Sequence, residues 1–356
     1  MRYKGDWEHA QTVFAAWWCK DLDVPVVQVQ GPKPGAEQRA GFDLWGFLRH
    51  KAEPERVIEE FERYCANTYF GGEAFPNLWV NLGPGVLAAY FTGYLEFDAD
   101  SATAWFEKPM SWDEINRLEF TDRGHWWTYT GEITRRAAEA GKDKFVVGAT
   151  DIGGNLDVLA SFRGPQNLCL DLLHEPDLVR NTLDRTDAAW QQVYTYLYEA
   201  VSQTQRGTSA WMGLWCPGRW YPLQCDFSAM ISPAMFEQFV APSLQRQCQF
   251  LDASIYHLDG SGQLPHLDIL LEIPELDGIQ WVPGAGVPQC EAPQWLPIYE
   301  KILAKNKLLV LQCFDDLAKV PALLEQIPNT GVLISAPLGT QQDAQDFLRA
   351  VRGPNL

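Results

Sequence analysis

The stretch from Asp252 to Pro288, DASIYHLDGSGQLPHLDILLEIPELDGIQWVPGAGVP, contains the pattern that decides the fold. An apolar run leads to His257 and Asp259 and then to a glycine-rich turn, which predicts a buried strand with polar residues at its end. A short helix is predicted next, and a second apolar run ends at Gln280 and Trp281. Because α/β proteins carry their chemistry at strand ends, this unit predicts both the fold class and the location of the site.

Eight apolar runs along the chain have the length of buried strands, and helical patterns separate them. They are Val24–Val29, Leu78–Leu82, Phe145–Ala149, Thr208–Leu214, Ser254–Leu258, Gly278–Val282, Leu308–Cys313 and Val332–Ser335. Eight strands alternating with helices predict an α/β protein with a (β/α)8 TIM barrel, whose active site lies at the carboxyl ends of the strands. We predict a single domain over residues 1–356, with an N-terminal helical extension over residues 1–23, because no internal repeat or low-complexity segment divides the pattern.

Two helix predictions rest on signals at the helix ends. Ser111 and Glu114 have the spacing of a capping box, in which each residue satisfies a backbone N–H of the other. Ser232 followed by proline predicts the start of a helix that continues to about Asp252, with a kink at Pro242.

The composition opposes two classes of partner. The formal net charge of −18 repels the phosphates of nucleic acids and the anionic faces of membranes, which attract clustered Lys and Arg. No apolar run reaches the roughly 18 residues of a membrane span, and the first residues lack the apolar core of a signal peptide. The eight cysteines contain no C-x-x-C pair. We therefore expect a cytoplasmic protein with reduced thiols and a small-molecule substrate.

Three segments carry a resemblance to a known group of proteins. They are YHLDG at Tyr256 to Gly260, IQWVPG at Ile279 to Gly284, and DFSAMISPAMFEQFVAPSL at Asp226 to Leu244. These segments resemble the uroporphyrinogen decarboxylase superfamily, which includes the decarboxylase and cobamide-dependent methyltransferases. The resemblance implies a (β/α)8 barrel.

The match to the decarboxylases themselves is poor. Their Arg-Gln-Ala-Gly-Arg motif, which binds substrate carboxylates, has only the weak counterpart EQRAGF at Glu37 to Phe42. Asn81 stands where they carry an essential aspartate, and their C-terminal histidine motif is missing around Ser335 to Thr340. An amide cannot replace a carboxylate as the charge partner of the substrate's pyrroles. The sequence therefore does not favour porphyrinogen decarboxylation.

The methyltransferase branch carries a His-x-Cys-Gly zinc motif after the same strand, where this chain has His257-Leu258-Asp259-Gly260. Side chains at i and i+2 of a strand point to one face, so His257 and Asp259 can reach the same space. Imidazole and carboxylate are acceptable zinc ligands. The family's third ligand, a cysteine near the last strand, is absent from LISAPLGT, and Cys313 is the substitute that we consider.

The resemblance thus implies a zinc site and catalytic roles for His257 and Asp259. It further implies transfer of a methyl group between a small methylated compound and a corrinoid, a cofactor carried by a partner protein. We expect further residues near strand ends to contact substrate, and these are Asn81, Asp151, Trp215, Asp226, Gln280, Trp281 and Gln312. Trp215, Trp220, Tyr221 and Trp281 would form an aromatic wall or a cage for a quaternary ammonium group.

Other interpretations of the same residues stay open. His257 and Asp259 are also suited to act as a metal-independent acid–base pair, as in a decarboxylase or lyase that acts on a small acid. A non-catalytic barrel that binds a small ligand is a third interpretation. The tryptophans equally suit core packing, and Asp151 and Asp226 equally suit helix caps. The fifteen tryptophans also favour a homodimer.

Overall fold

The computed structural model describes residues 1–36 and 41–353, in which thirteen strands are present. The strands are β1 (Val26–Pro32), β2 (Thr68–Gly72), β3 (Asn77–Trp79), β4 (Glu96–Asp98), β5 (Thr103–Trp105), β6 (Val146–Gly148), β7 (Thr208–Ser209), β8 (Trp215–Cys216), β9 (Trp220–Leu223), β10 (Ala253–Asp259), β11 (Gly278–Val282), β12 (Leu308–Leu311) and β13 (Val332–Pro337). Each of the eight predicted apolar runs overlaps one of these strands.

A seven-stranded sheet of order β2-β1-β13-β12-β11-β10-β9 forms the centre of the molecule. Its pairings from β9 through β13 to β1 are parallel, and β2 joins β1 antiparallel. Strands β3 and β6 form a separate parallel pair, while β4–β5 and β7–β8 are antiparallel pairs. The predicted α/β class is confirmed. Within the described ranges no closed barrel is present, so the TIM barrel stays a prediction.

The fourth predicted strand is shorter than the sequence indicated. Strand β7 ends at Ser209, and the chain then turns back through Gly213, whose φ of +72° favours glycine. Strand β8 consequently lies antiparallel to β7, and β9 rather than β7 joins β10. The aromatic segment that follows the predicted run, Trp215 to Tyr221, is therefore partly strand.

Fifteen α-helices surround the sheets in the described residues. They are α1 (Trp7–Trp18), α2 (Gly46–Arg49), α3 (Pro54–Asn67), α4 (Leu87–Thr92), α5 (Trp112–Arg117), α6 (His125–Gly141), α7 (Asn155–Arg163), α8 (Pro165–His174), α9 (Pro176–Ser202), α10 (Pro233–Met235), α11 (Ala241–Phe250), α12 (Leu267–Leu271), α13 (Leu296–Ala304), α14 (Val320–Leu324) and α15 (Gln341–Arg352). None of these helices combines the length and the apolar character needed to cross a membrane.

The end signals read from the sequence correspond to observed hydrogen bonds. The Glu114 N–H donates to Ser111 Oγ, and the Ser111 N–H donates to the Glu114 carboxylate at 2.8 Å, so the capping box at the start of α5 is confirmed. A π-helical segment, Phe236–Val240, lies between α10 and α11. Because Pro242 has no N–H to donate to the preceding turn, it accounts for this irregularity where the kink was predicted.

The inner face of the parallel sheet changes from apolar to polar along the strands. Side chains alternate across a strand, so every second residue points to the same side. Toward the amino ends this side packs against Phe14 and Trp17 of α1 and carries Val26, Ile255, Val310 and Leu333. Two residues beyond these apolar residues, the same side carries Gln28, His257, Gln312 and Ser335. Gln280 of β11 is the register partner of His257. The fold thus gathers amides and an imidazole at the carboxyl ends of the strands.

The last helix is attached to the sheet through a buried carboxylate. Glu73 accepts a hydrogen bond from the Val27 N–H at 3.1 Å and pairs with Arg352 of α15. The Glu73 side chain is only 2% exposed and that of Arg352 17%. Removal of the guanidinium would leave the buried carboxylate without its cation.

We expect Arg352→Ala to lower the free energy of unfolding by about 3 kcal/mol, because breaking a buried pair leaves an uncompensated charge. Urea unfolding of the purified variant measures this change. Arg349→Ala is the matched control on the same helix, since the Arg349 pair with Asp346 is more than half exposed and contributes little. Equal unfolding midpoints for the two variants would contradict the role given to Glu73.

Candidate functional site

Three side chains at the carboxyl end of the parallel sheet form a group that is able to hold a metal ion. His257 and Asp259 lie two residues apart at the end of β10, and His257 Nε2 is 4.0 Å from Asp259 Oδ2. Asp226 joins them, and one ligand atom from each of the three residues lies within 4.8 Å of the other two. One imidazole nitrogen and two carboxylate oxygens suit zinc and other divalent transition metals.

The backbone around Asp226 is held by a residue that the sequence analysis did not identify. Asp226 follows β9, the parallel neighbour of β10, and begins a short 3₁₀ helix, Asp226–Met230. The Asp157 carboxylate accepts hydrogen bonds from the N–H groups of Asp226 at 2.9 Å and Phe227 at 2.7 Å. Gln263 donates to Asp226 Oδ1 at 3.4 Å. Asp226, predicted to contact substrate, thus lies in the position of a third metal ligand.

Cys313, the predicted third ligand, is not part of this group. It follows β12 and is partly buried, and its backbone carbonyl accepts a hydrogen bond from the Cys290 N–H at 2.9 Å. Burial, and secondarily the negative charge of Asp259, raise the pKa of the Cys313 thiol. The structure places Asp226, rather than Cys313, in the group of possible metal ligands.

A chain of hydrogen bonds fixes the orientation of the His257 ring. His257 Nδ1 is 2.6 Å from Gln280 Oε1, Gln280 Nε2 donates to Gln312 Oε1 at 2.5 Å, and Gln312 Nε2 donates to the carbonyl of Met212 at 3.0 Å. A backbone carbonyl only accepts hydrogen bonds. Each amide must therefore turn its NH₂ group toward Met212 and its oxygen toward His257.

The direction of this amide chain assigns the tautomer of His257. Because Gln280 presents its oxygen, His257 Nδ1 must carry a proton, and Nε2 is the nitrogen that faces Asp259 and remains for a metal ion. Histidine ligands in metal sites commonly donate their second ring N–H to an oxygen in this way. In the structure Gln280 and Gln312 hold the histidine ring, and their predicted contact with substrate stays a prediction.

Asp151 lies behind the metal-ligand group after β6. It is 5% exposed, and its Oδ1 accepts hydrogen bonds from the Gly153 N–H at 2.9 Å and the Tyr221 hydroxyl at 3.0 Å. Gly153 has a φ of +71°, and a Cβ there would lie 2.5 Å from the Cα of Gly85. Only glycine therefore permits the tight turn that holds Asp151 in place.

Burial makes several carboxyl groups in this region resist ionisation. Loss of hydration, with a smaller contribution from the nearby charge of Asp226, raises the pKa of Asp151 to about 6. Loss of hydration also raises the pKa values of Asp157 and Asp226, with mutual repulsion acting in the same direction on Asp157. A divalent cation would favour the ionised form of these carboxyl groups.

Three residues that were predicted to contact substrate lie away from His257. Asn81 is 1% exposed, and its Oδ1 accepts the Gly83 N–H at 2.8 Å, so it stabilises a turn after β3. Trp215 is buried beside α1, where its indole N–H donates to the Arg206 carbonyl at 2.9 Å. Trp281 is fully buried on the helix side of the sheet. Within the described residues, these side chains do not meet at the site.

The aromatic residue that contacts His257 is not one of those predicted to form an aromatic wall. Trp220 is buried against Trp18 with a ring-centroid distance of 5.6 Å, and Tyr221 contacts Asp151 rather than open space. Trp211, which was not singled out, packs edge-on against His257 at 5.1 Å. It also lines a cavity of about 450 Å³ together with Gln312. Most of the EQRAGF segment, residues 37–40, lies outside the described residues.

We expect Gln280→Leu to weaken divalent-metal binding by about 10–100-fold, because His257 loses the acceptor that orients its ring. Gln280→Glu retains an acceptor for Nδ1–H and should bind metal more tightly than Gln280→Leu. Equilibrium dialysis against zinc measures both variants. Gln249→Leu is the control, because this glutamine is exposed and bonds only to Glu275. Unchanged zinc affinity in Gln280→Leu would show that the amide chain does not support His257 as a ligand.

We also expect the metal-free protein to lose stability as the pH rises through the range in which Asp151 ionises. The folded pKa of Asp151, about 6, exceeds its unfolded value, so the folded state binds the extra proton. This contribution is complete below about pH 4 and is lost as the pH rises through about 6. In Asp151→Asn, which keeps the accepting oxygen, the fall should be shallower in urea unfolding measured with chelator present. An identical pH profile in wild type and variant would contradict the assignment.

We compared the chain with protein-family models and with curated proteins. No protein-family model matches the chain, and no curated protein matches it significantly. The geometry of the Asp226, His257 and Asp259 group is therefore the main indication of function.

Proposed function

We propose that the protein is an enzyme that depends on a divalent cation held by Asp226, His257 and Asp259. The observation that carries the proposal is the convergence of these three ligand atoms within 4.8 Å. The orientation of His257 supports it, because Nδ1 is bonded to Gln280 and Nε2 lies on the side of Asp259. Zinc is the ion that we favour. Carboxylates are harder ligands than the thiolates of the related zinc motif, so manganese, iron(II) and cobalt(II) are competitors.

We infer that the strands belong to a (β/α)8 barrel. Parallel pairing from β9 through β13 to β1 and between β3 and β6 supports this inference. The Ala149 N–H also donates to the Ser209 carbonyl at 2.8 Å, which links the end of β6 to β7. In such a fold, the metal ligands would stand at the carboxyl ends of the strands, where barrels carry their active sites.

We propose methyl transfer between a small methylated compound and a corrinoid on a partner protein as the reaction. The support is that His257 and Asp259 occupy the positions of the zinc motif in the cobamide-dependent methyltransferases that the sequence resembles. When bound, the cation would act as a Lewis acid toward the heteroatom that gives or receives the methyl group. His257, Asp226 and Asp259 hold the ion, the two glutamines orient His257, and Trp211 limits access of water beside it.

A lyase or decarboxylase acting on a small acid is the second candidate. Asp151 favours it, because burial raises the pKa of this carboxyl to about 6 and lets it carry a proton close to neutral pH. A protonated carboxyl near His257 is suited to protonate a carbanion. This reaction would not require the cation, so chelation separates the two proposals.

We expect purified protein to bind about one zinc per chain, and Asp226→Asn, His257→Gln and Asp259→Asn each to weaken zinc binding by at least roughly 100-fold. Asp252→Asn is the matched control, because this exposed aspartate bonds to the Arg219 N–H at the opposite end of β10. Metal content measured by mass spectrometry checks the first part. Methyl transfer from candidate donors to a reduced corrinoid protein, with and without chelator, checks the second.

The possible outcomes are distinct. Zinc bound through Cys313 rather than Asp226 would contradict the ligand set. Absence of methyl transfer from all donors, with turnover of small acids that survives chelation, would replace methyl transfer by the lyase reaction.

A further inference from the structure

A cavity of about 450 Å³ lies one residue away from His257. Trp211 and Gln312 line it, and both are connected to His257, Trp211 by ring contact and Gln312 through Gln280. The amide connection reaches Nδ1 of His257, whereas the proposed cation would be bound by Nε2.

The described part of the cavity lining carries no formal charge. Its polar members are amides, hydroxyls and indoles, among them Gln28, Gln30 and Gln312. Several of their hydrogen-bonding groups are already used within the protein. Gln28 donates to the Gly213 carbonyl at 2.9 Å, and Gln30 accepts from the Tyr64 hydroxyl at 2.9 Å. The described lining therefore offers no cation to pair with a carboxylate or a phosphate.

Aromatic rings make up much of the remaining lining. Tyr64, Trp79 and Trp211 belong to three separate segments of the chain and border the same space. The hydroxyl of Tyr64 is bonded to Gln30, so its apolar ring is what remains for a ligand. Aromatic faces attract cations that shed their water easily, and quaternary ammonium groups are the usual example.

The net charge of the whole chain, −18, acts in the same direction at long range, because it attracts cations and repels anions.

We propose that the cavity binds a methylated quaternary ammonium group. The aromatic lining carries this proposal by itself, so it does not rest on the proposed function. A quaternary nitrogen has no lone pair, and the cation that we propose at His257 would therefore not bind it.

Binding of three probes of equal shape tests the proposal. Choline, 3,3-dimethylbutan-1-ol and 3,3-dimethylbutanoate carry a positive, a neutral and a negative group around the same branched carbon skeleton. Calorimetry with the full chain should show choline binding about tenfold or more tightly than the neutral alcohol, and the acid binding most weakly. Equal affinity for choline and the alcohol, tighter binding of the acid, or binding of none of the three would overturn the proposal.

A pair of variants separates a cation contact from simple packing. Trp79→Leu should weaken choline binding by about tenfold while leaving the alcohol nearly unchanged, whereas Trp79→Phe should retain most of the choline affinity. Trp105→Leu is the control, because Trp105 is 52% exposed and lies outside the described lining. Equal losses for both ligands in Trp79→Leu would make Trp79 a packing residue. If Trp79→Leu fails to fold, the ratio of choline affinity to alcohol affinity in the wild-type protein decides whether the cavity prefers a cation.

The binding result and the proposed reaction can fail separately. Tight choline binding without methyl transfer would leave the ligand class intact and remove the reaction. Methyl transfer from neutral donors, with no preference for choline, would keep the reaction and remove the ligand class.

Discussion

The two-residue alternation of side chains along the parallel strands decides which residues meet at the candidate site. On β10 it turns Ile255, His257 and Asp259 to one side, and on the neighbouring strands it turns Gln280 and Gln312 to the same side. Gln280 is the register partner of His257, and Gln312 lies two residues beyond Val310, the partner of Gln280, an offset that the long amide side chains span. A shift of one residue in β10 would turn both His257 and Asp259 toward the helices and leave Asp226 alone at the site.

The amide chain fixes the orientation of His257 and the ring nitrogen that donates to Gln280. The Met212 carbonyl has lone pairs and no proton, so it forces one direction on Gln312, Gln280 and His257 in turn. The result is a histidine with a fixed tautomer, held by groups whose protonation does not change with pH. Asp157 does the equivalent for Asp226 by binding its backbone N–H. Both ligands are thus positioned before any ion arrives, which reduces the ordering that metal binding requires.

Much of this fold could be predicted from local sequence patterns, and the prediction was weakest where distant segments meet. Each predicted apolar run overlaps a strand, because four to eight consecutive apolar residues between turns have few alternatives in an α/β protein. The alternation could also have separated Gln280 from Trp281, since adjacent residues of a strand cannot share a face. Asp226 was identified, but its role as a ligand depends on the pairing of β9 with β10, which no local pattern contains. Trp211 and Asp157 were missed for the same reason, because each reaches the site through a contact with a segment far away in sequence. The choice between Trp211 and Trp215 depends on the turn that separates β7 from β8.

The most direct test of the central claim is an anomalous difference map from crystals of the full chain grown with zinc. We expect one peak at about 2.0–2.2 Å from His257 Nε2 and from one oxygen each of Asp226 and Asp259, with Nδ1 still bonded to Gln280. A peak bound to His257 through Nδ1, a peak bound by Cys313 in place of Asp226, or an empty site at saturating zinc would contradict it.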